Sequence, residues 1–364
     1  MEEVDSIVVG AGVVGLASAL AIARRGRSVC VLEREPRPGT ATSTHNSQVI
    51  HAGIYYPTGS LKAKHCVDGA RMMFEFCASH GVPHRRCGKL IVAHDDAEVA
   101  ALERLHAKGT ENGVEGLEII DPSAVRTREP NVRAAAAMLS PNSGVLDAEA
   151  LVRALARAVV HHGGIVLPGS PLTAADVEDV GVEVATPSER IRARSVVNAA
   201  GLYADDVSKA LGGETFRIFP CRGEYVELVP SKRDLINGLV YPLPHAHGLG
   251  THFCRTIHGT VTLGPTASFQ QRKDDYESNR LPVESFLEPA QRLIPLLQLS
   301  DLRAGGTGIR PKLHGPETSY SDFLIRRDTS NPFLVQAAGI ESPGLTACLS
   351  IGEHVARLVE EVLS

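Results

Sequence analysis

The chain has 364 residues, 43% of them hydrophobic and 22% charged, which argues against a disordered protein and leaves room for two cores rather than one. Its formal net charge of -5 provides no broad basic surface, so nucleic acid is a poor partner class. Seven cysteines (Cys30, Cys66, Cys77, Cys87, Cys221, Cys254 and Cys348), scattered and without a C-x-x-C pair, read as reduced thiols of a cytoplasmic protein, and no metal site is expected.

Residues 7–23 are all apolar or small and are followed by Arg24 and Arg25. The acidic leader before them, and a length below the ~20 residues of a spanning helix, distinguish this run from a signal or membrane segment. A cytoplasmic protein is expected. Peripheral contact at the inner face of a membrane, or with a quinone, stays open, and no obligatory protein partner is evident.

Within the same run, 6–9 reads as a buried strand, 10–15 as a glycine turn, 16–25 as a helix and 28–33 as a second strand, which together make one βαβ unit. Residues 34–60, rich in Pro, Gly, Ser and Thr, form a long loop. A helix is predicted over 61–80, stopped by Gly81-Val-Pro83. A strand at 89–93 and a charged helix at 97–112 open a second domain. A helix over 147–162 with Asp147 as its cap returns to the first, followed by strands near 165–167, 181–185 and 191–198. From 215 to about 263, β-rich segments alternate with turns as in an antiparallel sheet. A strand at 333–337 and a helix at 345–363 close the chain. The expected division is 1–82, 143–213 and 320–364 for a discontinuous cofactor domain, with 83–142 and 214–319 for a substrate domain.

Gly10-Ala-Gly12-Val-Val-Gly15 is a G-x-G-x-x-G run that follows a strand, opens a helix and is followed by Glu33 at the end of the next strand. Gly10 permits the tight turn, Gly12 lets backbone approach a pyrophosphate, and Gly15 lets helix pack on sheet. Glu33 can accept from ribose hydroxyls. FAD and NAD share this turn. Two later segments, 196–201 ending in Ala199-Ala-Gly201 and Gly339-Ile-Glu341-Ser342-Pro343-Gly344, put small residues at strand ends where a long cofactor could lie. There is no second G-x-G-x-x-G to hold a nicotinamide, so electrons should come from the substrate itself.

The order of these pieces resembles the D-amino-acid oxidase-like superfamily of flavoproteins over essentially the whole chain. Finer motifs are similar to those of the L-2-hydroxyglutarate dehydrogenase and oxidase family: His45-Asn-Ser-Gln-Val-Ile-His51-Ala-Gly-Ile-Tyr-Tyr56, Gly59 to Lys64, Arg222-Gly-Glu-Tyr, Val261 to Pro265, Gly308-Ile-Arg310-Pro-Lys312 and Gly339 to Thr346. Gln48 stands where that pattern leads one to expect glycine. The resemblance implies an α/β fold, with a Rossmann-like, glutathione-reductase-like FAD-binding domain and a second, antiparallel-sheet α+β substrate domain. It implies FAD as cofactor and extends the cofactor-binding set to Val14, Arg34, Thr42, Ser43, His45, Asn46, Ser47, Leu172, Arg310, Leu345 and Thr346. The implied reaction is oxidation of L-2-hydroxyglutarate to 2-oxoglutarate, with electrons passed on to oxygen, a quinone or another acceptor.

Oxidising a 2-hydroxy acid requires a base beside C2, and histidine, with an unperturbed pKa of ~6.5, suits that task. His51, in the loop that the resemblance places over the flavin, is the first candidate and His252 the second. Arg310 is the candidate for one substrate carboxylate because a guanidinium fork fixes a carboxylate through two bonds. Arg255, Lys64 and Arg222 are open choices for the far carboxylate of a small dicarboxylate substrate. Tyr56 and Tyr241 are expected to hydrogen-bond substrate or line the pocket. Two other readings compete: an amino-acid oxidase of glycine or sarcosine type, which needs no base because an amine can lose its proton before binding, and a flavin-binding sensor without turnover.

Overall fold

A computed structural model describes residues 2–244 and 250–364. The strand Glu2–Val9 lies between Val29–Leu32 and Arg190–Asn198, all three parallel. The path continues through Ile165–Leu167 on one side and through Gly181–Ala185 and Ala174–Glu178 on the other. Leu334–Ala338 joins parallel to the end of Arg190–Asn198 and pairs antiparallel with Leu324–Arg327, giving eight strands.

The helix Val13–Ala23 has ten of its eleven residues buried because it contacts Gly344–Leu363 and Ala148–His161 as well as the sheet. A helix enclosed on all sides is apolar all round, which is why this segment imitates a membrane span. Among the described residues no helix is long and apolar enough to cross a membrane.

Helix ends follow the capping residues. Ser60 Oγ accepts from Ala63 N–H at the start of Leu61–His80, and Gly81 closes it in the left-handed conformation. Asp95 and Asp147 cap Asp96–Glu111 and Ala148–His161 in the same way.

The second sheet has nine strands, drawn from 89–140 and 219–312. Its centre is Phe219–Leu228, Val261–Gly264, His252–Arg255, Leu239–Pro242 and Lys89–Ala93 in that order. The sheet departs from the purely antiparallel expectation at one place, where Leu239–Pro242 runs parallel to Lys89–Ala93. Its long strand Leu302–Lys312, which contains Gly305, Gly306, Gly308 and Pro311, pairs among the described residues only with Phe219–Leu228. An edge position tolerates the missing Pro311 donor. A small sheet of Val49–Ile50, Gly144–Leu146 and His84–Arg85 joins the long loop to the rest.

Gln48, where glycine was expected, adopts the left-handed conformation itself, with φ 58°. That costs an L-residue about 1–2 kcal/mol. The cost is offset locally: Gln48 N–H donates to Asn46 Oδ1 (2.8 Å), its carbonyl accepts from Leu146 N–H (3.0 Å), and its side chain accepts from Ala148 N–H (3.3 Å).

The crossing of Val13–Ala23 with Gly344–Leu363 is close enough that a Cβ on Gly352 would lie 2.5 Å from the Ala17 carbonyl oxygen. Gly352→Ala is therefore expected to cost about 1–3 kcal/mol. Thermal unfolding of the holoprotein checks this, and a variant as stable as wild type would show that the helices can separate freely.

Candidate active site

The parallel strands Glu2–Val9, Val29–Leu32 and Arg190–Asn198 end side by side, and beyond their carboxyl ends lies a cavity of about 900 Å³. This is the crevice in which open α/β sheets bind ligands, and its size is at the upper end of cofactor sites, ~300–1,000 Å³. Gly10, Gly12, Val14, Glu33, Arg34, Leu172, Ala199 and Gly201 line it at the sheet end. Thr42, Ser43, His45, Asn46 and Ser47 line it from the long loop, and Glu341, Ser342, Pro343, Gly344 and Leu345 from the start of the last helix. Arg310 faces it from the edge strand.

Three residues expected at the cofactor lie off this wall. Gly15 packs under the turn, where a Cβ would stand 1.9 Å from the Gly10 carbonyl oxygen. Gly339, at φ 66°, is packed on Leu313. Thr346 is buried, and its hydroxyl accepts from His51 N–H (2.9 Å) and donates to the Val49 carbonyl (3.2 Å).

The wall fits a dinucleotide. Gly10 turns at φ 104°, and the Glu33 carboxylate stands at the mouth of the turn, accepting from Ala11 N–H (2.8 Å) and Glu35 N–H (3.0 Å). A Cβ on Gly12 would come within 2.9 Å of Ser43 Oγ, so the turn stays open only without a side chain there. The residues present would hold the adenosine half of FAD at Glu33 and its pyrophosphate at the helix start.

At the other end of the cavity are two buried histidines. His252 Nδ1 donates to the Gly250 carbonyl (3.0 Å), and its Nε2 is buried without a hydrogen-bond partner among the described residues. Burial, with Lys89 and Arg310 adding to it against the Gly250 hydrogen bond, lowers His252 to about 3. Burial, then Lys89 and His252, push His51 well below its ordinary value, and its Nδ1 lies 3.3 Å from Lys89 Nζ. Both rings are therefore neutral.

Arg310 donates only to the Thr266 carbonyl (3.2 Å) and weakly to Cys221 Sγ (3.9 Å), and no carboxylate pairs with it among the described residues. Nearby on the wall, Glu341 is held between Lys62 (2.9 Å) and Lys312 (2.8 Å). Burial would raise Glu341, but the two ammoniums outweigh it and hold the carboxyl at about 2. Two lysines share one carboxylate there, leaving one positive charge in excess.

Tyr56 lines the cavity, whereas Tyr241 lies behind it with its ring stacked on His252 at 3.7 Å. The structure does not bring Lys64, Arg222 or Arg255 to the wall. Lys64 is exposed. Arg222 is buried against Glu224 (3.0 Å) and the Ser278 carbonyl (2.7 Å). Arg255 is occupied by the Arg233 and Ile236 carbonyls and by Asp234. Arg222 and Arg255 are off the wall for the same reason: donors already used within the protein leave none for a ligand.

Residues 5–358 match the family described as DAO, FAD dependent oxidoreductase. The chain belongs to that family. Among curated relatives it is 38% identical to the mitochondrial L-2-hydroxyglutarate dehydrogenase of Arabidopsis thaliana, over 98% of this chain and 83% of that one. It is 32% identical to the mitochondrial enzyme of the same name from Homo sapiens, covering 98% and 89% of the two chains. Among solved structures, L-alpha-glycerophosphate oxidase from Mycoplasma pneumoniae, determined with FAD bound, superposes with TM-score 0.90 at 26% identity, covering 99% and 95%. Glycine oxidase from Geobacillus kaustophilus shares the fold at TM-score 0.83 and 22% identity, covering 99% and 95%.

FAD is thus the cofactor of this DAO-family chain. The residues that sequence reasoning missed are Lys62, Lys312 and Lys89. Lys312 had a signal, two positions beyond Arg310 in the same motif. Lys89 had one too, as a lysine heading an otherwise apolar run. Lys62 had none, since one lysine among many at a helix start carries no mark of direction.

Glu33→Ala removes a charged acceptor from the turn. A hydrogen bond to a charged group contributes ~1.5–3 kcal/mol, so FAD affinity should fall roughly 10- to 100-fold. Flavin retained after ultrafiltration measures it, and full retention would place the adenosine half elsewhere.

Proposed function

We propose that this chain oxidises L-2-hydroxyglutarate to 2-oxoglutarate. The observation that carries the reading is Arg310, an arginine without a carboxylate facing the same cavity as two neutral histidines, in a chain whose relatives are named for that substrate. Bound FAD supplies the acceptor for the C2 hydride. Arg310 holds the carboxylate beside C2, and the histidine pair receives the hydroxyl proton. An amine substrate would have no use for that proton site, which favours the hydroxy acid.

Lys312 is the natural holder of the far carboxylate. Two positions apart on one strand, Arg310 and Lys312 are about 6.8 Å apart along it and point to one side, and both line the cavity. That spacing suits a five-carbon diacid. Segments 1–82, 143–213 and 320–364 then carry the cofactor wall, and 83–142 and 214–319 carry most of the substrate end.

Anaerobic mixing of the yellow protein with L-2-hydroxyglutarate, its D enantiomer, L-malate and L-glutamate tests the assignment. Bleaching of the flavin absorbance by the first alone is expected, and bleaching only by glutamate would replace the substrate class. Lys312→Ala should raise KM for L-2-hydroxyglutarate about 10- to 100-fold, the value of one charged hydrogen bond. The same variant should leave L-2-hydroxybutyrate, which lacks the second carboxylate, within about threefold of wild type. Equal losses on both would remove Lys312 from that role.

A further inference from the structure

Lys89 heads the strand Lys89–Ala93 and is 1% exposed. A lysine so buried is ordinarily paired with a carboxylate, yet among the described residues Lys89 forms no salt bridge. Its Nζ lies 3.3 Å from His51 Nδ1, 4.3 Å from the Tyr241 ring centroid and 5.5 Å from that of Tyr55. The remaining titratable groups that bear on it are the thiols of Cys66, Cys87 and Cys254, together with His252. Burial pushes the Cys66 and Cys254 thiols up to about 12, so they offer no anion.

We propose that Lys89 is a positioning residue that divides the work of the two histidines, its ammonium fixing His51 as a hydrogen-bond donor and leaving His252 as the base. The proposal rests on the hydroxy-acid reading above. An ammonium only donates, and a neutral imidazole carries one N–H. With Nδ1 accepting from Lys89, the His51 proton is on Nε2. Taking a second proton there would place an imidazolium against an ammonium in a buried site.

His252 has the opposite tautomer. Its N–H is committed to the Gly250 carbonyl, so the lone pair is on Nε2, which has no partner among the described residues. The stacked Tyr241 ring, which also meets Lys89, holds it in place. In the proton step the substrate O–H bond breaks, the proton passes to His252 Nε2, and His51 Nε2–H donates to the same oxygen as charge builds on it. Substrate itself assists: Arg310 is one of the charges that lower His252, and a carboxylate on Arg310 cancels it.

Burial lowers Lys89 to about 8. The ammonium is therefore present below that pH and lost above it, freeing His51 to change tautomer. For wild type, kcat/KM should decline on the alkaline side near pH 8.

The test uses FAD-loaded holoenzyme and anaerobic flavin reduction followed across pH. His51→Gln keeps an N–H donor and is expected to stay within about tenfold of wild type, whereas His252→Gln should lose ~10²- to 10⁴-fold, the range for removal of a general base. Lys89→Met should slow reduction and abolish the alkaline limb; Lys89→Arg should restore rate and displace the limb upward. An unchanged limb in Lys89→Met, or a His51→Gln variant as slow as His252→Gln, overturns the proposal. Should Lys89→Met not accumulate as holoprotein, the two histidine variants decide. A wild type that no 2-hydroxy acid bleaches defeats the functional reading instead, a result separate from the ranking of variants.

Discussion

Two hydroxyls on adjacent residues hold the site together. Ser43 Oγ accepts from Val13 N–H (3.0 Å), the first amide of the helix after the glycine turn, and Thr42 Oγ1 donates to the Ile309 carbonyl (2.9 Å), next to Arg310. The dinucleotide turn of one sheet and the strand that carries Arg310 in the other are thereby set at a fixed distance through a single loop. Asn46 stiffens that loop by donating to the Thr42 and Ser43 carbonyls, and Gln48 accepts a left-handed backbone to redirect the chain towards His51. His51 is then held by Thr346 at the start of the last helix. A long loop ordinarily adds entropy and motion; here its polar side chains are spent on backbone groups of three other elements.

The charges of the cavity follow the same division. At the sheet end the wall is acidic at Glu33, where hydroxyls of a ribose would donate. At the far end Arg310 is without a carboxylate, and Lys62 and Lys312 outnumber Glu341, so the field favours an anion. Buried charges are costly without partners, and the Lys62–Glu341–Lys312 cluster meets that cost by sharing one carboxylate. Arg310 meets it only in part, through a carbonyl. In the proposed reaction a substrate carboxylate completes the set, so that binding would relieve an electrostatic deficit that folding leaves in place.

Much of this was legible in the sequence because it is written in local chemistry. The glycine turn, the cap at Asp147 and the stop at Gly81 each depend on residues within a few positions, and the structure has the helices Leu61–His80 and Ala148–His161 within a residue of expectation. Position 48, where the resemblance led one to expect glycine, has a left-handed backbone that glutamine adopts. What escaped depends on distant contacts. Leu302–Lys312 has too many glycines and a proline to read as a strand, and only its pairing with Phe219–Leu228 makes it one. Arg222 and Arg255 read as free cations because a sequence does not say which carbonyls will consume a guanidinium. Lys89 was passed over as part of a strand, since its meaning lies in His51, thirty-eight positions earlier.

The two ends of the cavity are specified in different ways. The cofactor end is specified by backbone: a turn that only glycine closes, strand ends in register, and amides at a helix start. Such features survive wide change in side chains, which is how flavoproteins acting on other substrates share this frame. In the proposed reaction the substrate end is specified by a few side chains on rigid strands, Arg310 and Lys312 on one, His252 on another, with Lys89 behind His51. A strand places alternate residues on one side, so exchanging one side chain alters the cavity without moving the backbone. Unsatisfied donors, rather than charge as such, are what distinguish Arg310 from Arg222 and Arg255.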